Sequence, residues 1–196
     1  GEDGTQWALH GPDMEASLDA ALTGYSNITA MAVREDTVYL AADGACVLAC
    51  SLDGMLLWKQ EASAIDRFFS AQDGRLLAWA RQEQALYLLE DGAIRRLCSM
   101  PDLFCTGIEQ LYPGDQTPYD CIVCANDAFF GWSIDAEAVT QLFTCDAVGL
   151  YAGDILDFCS LGNDRYLGLE WAPSASGEPG CTLFWLTPVE GKLPEK

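Results

Sequence analysis

Histidine is nearly absent from the sequence, and basic residues are scarce. The 196 residues include one histidine, His10, and ten Lys and Arg against thirty Asp and Glu, which gives a net charge of -20. One imidazole excludes a histidine-rich zinc site and makes any Ser-His-Asp or Cys-His catalytic arrangement depend on His10 alone. An acidic surface also repels nucleic acid and anionic membranes. We therefore expect no nucleic-acid partner, and we interpret His10 as a surface or strand-end residue.

Long apolar segments are also missing. No run approaches the roughly 18 residues that a membrane-spanning helix needs, so we expect no direct membrane insertion. The start shows no basic segment followed by an apolar one, as a secretory leader would. Residues 2–6 are polar and are typical of the spacer that follows a signal cleavage site. Together with the acidity, this predicts an exported protein, extracellular or at the cell surface, with its signal removed.

Cysteine is frequent, with nine residues, but its pattern does not predict a disulfide framework. The number is odd, and most cysteines lie in apolar, strand-like runs, where buried thiols act as small hydrophobic groups. Cys121 and Cys124 form a CxxC motif, which in other settings binds zinc or catalyses redox chemistry. In a strand, positions i and i+3 face opposite sides, so one metal ion would not reach both. We interpret the cysteines as structural and assign no metal and no cofactor.

The same order of short apolar strands occurs four times along the sequence. A complete copy has a first strand, a turn, two strands rich in Val, Leu, Tyr and Cys, and a turn before the last strand. The copies begin at Ile28, Ile65, Ile108 and Ile155, at spacings of 37, 43 and 47 residues. Spacings of about 40 to 50 residues are typical of the four-stranded blades of a β-propeller.

These repeats predict one all-β, propeller-like domain of about four four-stranded antiparallel blades. The predicted blades are residues 28–64, 65–107, 108–154 and 155–196. A β-sandwich, which also has short strands at regular intervals, is the alternative. We interpret Asp53-Gly54, Asp73-Gly74 and Asp91-Gly92 as hairpin corners, because glycine readily adopts positive φ. A calcium loop would need further oxygen ligands at alternate positions, and Asp53 is followed by Gly, Met and Leu.

The fourth copy has only three clear strands in the sequence. Pro188, Gly191 and Pro194 are expected to break the pattern before a fourth strand forms. Residues 17–23 are similar to residues 133–140, which belong to the last hairpin of the third copy. The N-terminal segment, residues 1–27, is therefore predicted to pair with the last blade and close it. Apolar residues at helical spacing within residues 14–22 leave a helical turn or two as the alternative.

Two further patterns each allow a structural and a functional interpretation. Glu90 and Asp91 are adjacent acids, and paired carboxylates are the machinery of glycosidases, but thirty acids make chance pairs certain. Tryptophans recur at about one per blade, and rings at equivalent blade positions usually fill the space between sheets. A carbohydrate-binding face is the alternative for these tryptophans, which are Trp58, Trp79, Trp132, Trp171 and Trp185.

Two stretches resemble known families. Residues 46–59 resemble the blade signature of PQQ-type β-propeller repeats, with a strand, an Asp and Gly turn, two apolar residues, Trp58 and Lys59. The stretch departs from that family by placing Gly54 directly after Asp53, and it implies a blade but no quinone binding. The C-terminal third is similar to the propeller-like N-terminal region of Gram-positive extracellular solute-binding lipoproteins of ABC importers. The similarity lies in Gly153-Asp-Ile155, residues 165–169 and residues 183–196.

The function that we expect is recognition or scaffolding without catalysis. The second resemblance implies a cell-surface domain next to a solute-binding protein, with a protein or glycan as partner. A carboxylate-dependent, glycan-active hydrolase is the alternative. A third hypothesis is that the four blades form half of a larger ring, which a homodimer or residues missing from this sequence would complete. The sequence assigns no catalytic, cofactor-binding or metal-binding residue, and it does not identify the partner face.

Overall fold

The computed structural model describes residues 6–11, 14–104, 107–172, 177–189 and 192–195. The chain forms two compact units. The first comprises Gly1–Phe69 and Arg75–Ser99, and the second comprises Ser70–Gly74 and Met100–Lys196. Among the described residues, no helix has the length and apolar character needed to cross a membrane.

The first unit contains a two-stranded hairpin and two four-stranded antiparallel sheets. The hairpin pairs β1 (Ala8–Gly11) with β2 (Met14–Ser17). The first sheet consists, in spatial order, of β3 (Ile28–Arg34), β4 (Thr37–Ala42), β5 (Cys46–Ser51) and β6 (Leu56–Glu61). The second sheet consists of β7 (Arg67–Ser70), β8 (Leu76–Ala80), β9 (Ala85–Glu90) and β10 (Ala93–Ser99).

The second unit contains the third and fourth sheets. The third sheet consists of β11 (Gln110–Pro113), β12 (Cys121–Ala125), β13 (Ala128–Ser133) and β14 (Ala138–Thr144), followed by the one-turn helix α1 (Cys145–Val148). The fourth sheet consists of β15 (Ile155–Gly162), β16 (Arg165–Trp171), β17 (Cys181–Val189) and β18 (Lys192–Glu195). Single 3-10 turns lie at Asp102–Phe104 and Ala152–Asp154.

Four successive four-stranded antiparallel sheets confirm the all-β, propeller-type prediction. Each sheet is built from neighbours in sequence, which differs from the two packed sheets of a sandwich. The three Asp-Gly corners are confirmed as turns between consecutive strands, with φ of 88° at Gly54, 82° at Gly74 and 74° at Gly92. The blade boundaries and the single-domain assignment stay predictions.

The prediction that residues 1–27 pair with the last blade is wrong for the described residues. β1 and β2 pair with each other, and β18 is the fourth strand of the last sheet. The prolines do not prevent this, because Pro188 lies where the β17–β18 register shifts, between Thr187 and Val189. Pro194 lies in an edge strand, where proline is tolerated because only one side of the strand is hydrogen-bonded to a neighbour. Gly191 lies outside the described residues.

The N-terminal segment covers one face of the first sheet instead of extending another. Leu18, Ala21 and Leu22 are buried against side chains of β4 and β5. The backbone N–H of Leu18 donates to the carbonyl oxygen of Trp7 at 2.8 Å, and the Trp7 N–H donates to Asp19 Oδ1 at 2.6 Å. Of the helical turns considered for residues 14–22, the described residues contain one. In this turn the Leu22 N–H donates to the carbonyl oxygen of Leu18 at 2.9 Å. The opposite face of the sheet packs on the second sheet, through Ala41 and Val47.

An aromatic cluster forms the core of the second unit. Its rings come from β11, β13 and β14 of the third sheet and from β15, β16 and β17 of the fourth. Phe129 and Phe158 have ring centroids 4.5 Å apart, and the rings of Phe158 and Tyr166 stack at 5.3 Å. The members are Tyr112, Phe129, Phe143, Phe158, Tyr166 and Phe184. This cluster covers one face of the fourth sheet.

We predict that Gly54→Ala destabilises the chain more than Gly74→Ala does. Both glycines occupy Asp-Gly corners at positive φ, which costs an alanine about 1 kcal/mol. A Cβ at Gly54 would also overlap the carbonyl oxygen of Ser17, whereas a Cβ at Gly74 meets no atom within 4 Å. We expect an additional loss of roughly 1–3 kcal/mol for Gly54→Ala. Urea unfolding measures both, and equal losses would show that the N-terminal segment does not lie against this corner.

We predict a loss of stability above pH 10 that depends on Tyr166. Burial, followed by the nearby charges of Asp164 and Tyr119, raises the pKa of Tyr166 to about 12. An unfolded tyrosine ionises near pH 10, so between these values the unfolded chain releases a proton that the folded chain keeps. Below about pH 10, Tyr166 is neutral in both states and the full free energy of unfolding is present. Between pH 10 and pH 12, the free energy of unfolding falls by up to about 1.4 kcal/mol per pH unit.

Tyr166→Phe keeps the ring in the cluster and is expected to reduce this fall. The measurement is the free energy of unfolding at pH 8 and pH 11.5, with Tyr151→Phe, a change at an exposed tyrosine, as the matched control. A pH dependence that is the same in Tyr166→Phe and in the unaltered chain would contradict the prediction.

Candidate functional site

The polar candidates from the sequence do not form a catalytic centre. His10 is exposed on β1, and its Nδ1 lies 4.0 Å from Glu15 Oε1, which confirms the surface interpretation. Glu90 forms an ion pair with Arg95, whose Nε donates to Glu90 Oε1 at 2.8 Å. Asp91 lies at the neighbouring corner with φ of 52°. Glu90 therefore serves the β9–β10 hairpin, and nothing in this geometry favours a glycosidase pair.

The CxxC cysteines are separated by strand geometry, as the sequence predicted. Cys124 belongs to the aromatic core, next to Phe129 in the register, whereas Cys121 pairs with Trp132 and faces the other side of the sheet. A side-chain hydrogen bond from the Cys124 thiol to Cys145 holds the pKa of Cys124 far above its usual range and lowers that of Cys145. No cysteine among the described residues takes part in a disulfide bond, and Cys105 lies outside those residues.

The tryptophans divide into two groups. Trp79 and Trp132 are each 2% exposed, and Trp58 is half-buried against the core of the first unit, with its ring 6.2 Å from that of Tyr39. The tryptophans of the first three blades are therefore buried or half-buried, as the packing interpretation expects. Trp171 and Trp185, both in the fourth sheet, are 43% and 65% exposed. These two rings lie on the surface.

The exposed rings belong to an apolar face of the fourth sheet. Strand alternation and the cross-strand pairs Leu167–Trp185, Leu169–Leu183 and Trp171–Cys181 place their side chains on the same side. Cys159 and Leu161 of β15 join them, because Cys159 pairs with Leu167. We call this surface the outer face; its residues are Asp157, Cys159, Leu161, Arg165, Leu167, Leu169, Trp171, Cys181, Leu183, Trp185 and Thr187.

A shallow groove of about 240 Å³ runs across the middle of the outer face. It is lined by Asp157, Cys159, Leu167, Leu169 and Leu183, with Phe158 and Gly168 at its floor. Leu183 is 65% exposed, although it lies at the centre of an apolar surface. An exposed, contiguous apolar surface of this kind is typical of a recognition site.

The groove has a rigid floor because of Gly168. Gly168 pairs with Phe184 across β16 and β17, and a Cβ at Gly168 would overlap the Phe184 ring. The ring therefore lies flat over the glycine on the buried side, where Phe184 is 4% exposed. The sheet that carries the outer face is thus fixed by packing from beneath, which preorganises the surface for a partner.

A second cleft, of about 580 Å³, lies in the first unit. Its lining includes Tyr25, Cys46, Lys59, Glu61 and Ser63. Lys59 Nζ lies 5.0 Å from the centroid of the Tyr25 ring, and a hydrogen bond with Tyr25 raises the pKa of Lys59. The cleft offers a single ammonium group next to a carboxylate, so it is a weaker candidate than the outer face for binding a partner.

The outer face could not be identified from the sequence. Its signal is a strand with apolar residues at consecutive positions, Leu183-Phe-Trp-Leu186, which is typical of a strand covered on both sides. The structure buries only Phe184 and Leu186. A local pattern of this kind shows that both sides are apolar, but not which side lacks a cover.

Similarity to known proteins lies in structure and not in sequence. No protein-family model matches the chain, and no curated protein matches it in sequence. Among solved structures, the computationally designed Ika4 protein is similar with a TM-score of 0.50 and 16% identity, over 84% of this chain and 94% of Ika4. The extracellular domain of BT4673 from B. thetaiotaomicron is similar with a TM-score of 0.51 and 13% identity, over 73% of this chain and 20% of that one.

The WD40 repeats of RRP9 are a third similar structure, with a TM-score of 0.53 and 12% identity, over 91% of this chain. The matched part is 53% of the RRP9 chain, so this chain spans about half of that WD40 protein. WD40 repeats are β-propeller blades of four strands. Identities this low establish the fold and nothing further, and the chain accordingly has a β-propeller fold of four four-stranded blades.

Proposed function

We propose that this chain is a protein-recognition or scaffolding module of propeller blades, without catalytic activity, whose partner binds the outer face of the fourth sheet. The observation that carries the proposal is the exposure of Leu183, Trp185 and Trp171 on one rigid sheet. Exposed aromatic and aliphatic anchors of this type supply most of the binding energy in protein interfaces. The WD40 fold of RRP9 belongs to a class that supports binding surfaces on many unrelated proteins.

An exported location is part of the proposal. The net charge of -20 and the similarity of residues 153–196 to solute-binding lipoproteins of ABC importers support it. The similar domain of BT4673 is extracellular, which adds a precedent for this fold outside the cell. Association with a solute-binding protein follows from the same resemblance. Surface biotinylation of intact cells that express the full-length gene tests the location, and labelling only after lysis would contradict it.

A glycan ligand is the second candidate, because two indole rings are exposed on the outer face. Trp171 and Trp185 flank Leu183, and aromatic rings at such positions can stack on sugar rings. The hydrolase alternative gains no support from the groove, because Asp157 is the single carboxylate that lines it and a glycosidase needs two.

We predict that a photo-crosslinker at position 183 captures a protein partner. Benzoylphenylalanine replacing Leu183 is expected to give a discrete protein adduct in cells that express the chain, because the ring would project from the centre of the outer face. The same residue replacing Met31, which is 57% exposed on β3, is the matched control and is expected to give no adduct. Mass spectrometry identifies the adduct.

Two results would count against this function. Adducts of equal yield at positions 31 and 183 would mean nonspecific contact. Absence of protein adducts, combined with glycan-array binding that is lost in Trp185→Ala, would assign the face to a sugar.

A further inference from the structure

We propose that Cys124 and Cys145 form a redox site in the second unit, where their two thiols close to a disulfide bond in the presence of a low-molecular-weight disulfide. The site shares no residue with the outer face and does not depend on the proposed function. Three features of the described residues support it: the contact between the two thiols, their enclosure in the core, and the short helix that carries one of them.

The first feature is the contact between the two side chains. The Cys124 thiol donates a hydrogen bond to Cys145. Cys124 lies on β12, and Cys145 is the first residue of α1, directly after β14. The backbone N–H of Cys145 donates to the carbonyl oxygen of Asp127, in the turn between β12 and β13, at 2.8 Å. The end of β14 therefore lies beside this turn, which brings the two thiols together.

The second feature is that both thiols belong to the aromatic core of the second unit. Cys124 is 0% exposed and Cys145 is 2% exposed. A mixed disulfide with a small molecule would add a large group to this packed core, which is costly. A disulfide between the two cysteines removes only two hydrogen atoms and adds no volume. The neighbouring thiol is therefore the favoured final partner of either cysteine.

The third feature is that Cys145 can leave the core through a small local opening. Helix α1 has a single turn, which few backbone hydrogen bonds close. The Leu150 N–H donates to Cys145 O at 3.0 Å, and the Gly149 N–H donates to Asp146 O at 3.3 Å. Helices this short are marginal in water, so opening this turn costs less than opening a sheet. Opening exposes Cys145 to a small disulfide, while Cys124 stays in β12.

This difference in access assigns the order of the reaction. The Cys145 thiolate attacks one sulfur of the small disulfide, whose S–S bond breaks and whose other half leaves as a thiolate and takes up a proton. The hydrogen bond to Cys145 holds the pKa of Cys124 above its usual range, so Cys124 stays a thiol until Cys145 has reacted. Cys124 then loses its proton and attacks the Cys145 sulfur, and the second small thiol leaves. Two protein thiols are oxidised, and one small disulfide is reduced to two thiols.

Disulfide mapping of the unaltered chain is the first test. The reduced protein is incubated with glutathione disulfide, its remaining thiols are alkylated after denaturation, and its chymotryptic peptides are identified by mass spectrometry without reduction. We expect a linkage between the peptide with Cys145 and the peptide with Cys121 and Cys124. Cys159 and Cys181, which are exposed, are expected to form mixed disulfides with glutathione and so show that the oxidant is active. Modification of these two, with Cys124 and Cys145 both alkylated, would overturn the proposal.

Three alanine variants assign the linkage and the order of attack. Cys121→Ala, on the other side of β12, is the matched control and is expected to keep the linkage. Cys145→Ala is expected to leave Cys124 as a buried thiol. Cys124→Ala is expected to leave a glutathione adduct on Cys145, at a yield at least about tenfold above that on Cys124 in Cys145→Ala. Loss of the linkage in Cys121→Ala, or a higher yield at Cys124, would overturn the proposal.

Unfolding in the two redox states provides a readout that needs no variant of the reacting thiols. The linkage closes a loop of about 20 residues that contains β13 and β14, and on chain entropy it lowers the equilibrium constant for unfolding by roughly 100-fold. Urea unfolding of the oxidised and the reduced chain measures this change, and a reducing agent is expected to reverse it. Cys145→Ala is the control and is expected to unfold equally in both states. Equal unfolding of the unaltered chain in both states would overturn the proposal.

Discussion

An apolar β-sheet is stable in water only when another layer covers each of its apolar faces. The first sheet meets this requirement twice, with Leu18 and Leu22 over one face and the second sheet over the other. The third and fourth sheets meet it through their shared aromatic cluster around Phe158. On the outer face of the fourth sheet, by contrast, Leu183 and Trp185 are each 65% exposed. Burial of apolar surface contributes about 25 cal/mol per Å², so this uncovered face holds free energy for association.

The N-terminal segment shows why covering a face outweighs extending a sheet. A further strand on the last sheet would gain backbone hydrogen bonds, which largely replace hydrogen bonds to water and contribute about 1 kcal/mol each. Placing Leu18, Ala21 and Leu22 over β4 and β5 removes apolar surface from water on both partners. Lys192–Glu195 already supplies the fourth strand of the last sheet. The segment therefore acts as a cap on the first sheet.

The repeat pattern was enough to predict the sheets, because each needs only short apolar strands and corners such as Asp53-Gly54. The predictions that the last sheet lacks its own fourth strand and that the N-terminal segment supplies one are wrong, and both concern strand edges. Pro188 and Pro194 are residues that usually end a strand. Here the strands continue, because Pro188 lies at a register shift and Pro194 lies in an edge strand. The candidate site could not be predicted for a different reason. Leu183 and Trp185 belong to a continuous apolar run, which is typical of a strand covered on both sides. Their exposure depends on what packs on the sheet, which is not local information.

A solvent-exposed face of an antiparallel sheet normally carries polar side chains, because water is its neighbour. The outer face departs from this rule. It carries Leu183 and Trp185, each 65% exposed, in a chain that has thirty acidic residues. The sheet is also fixed from beneath by Phe184 over Gly168, so the face cannot hide its apolar groups by collapsing inward. An exposed apolar surface that packing holds in place, on a strongly acidic chain, has the character of a binding surface.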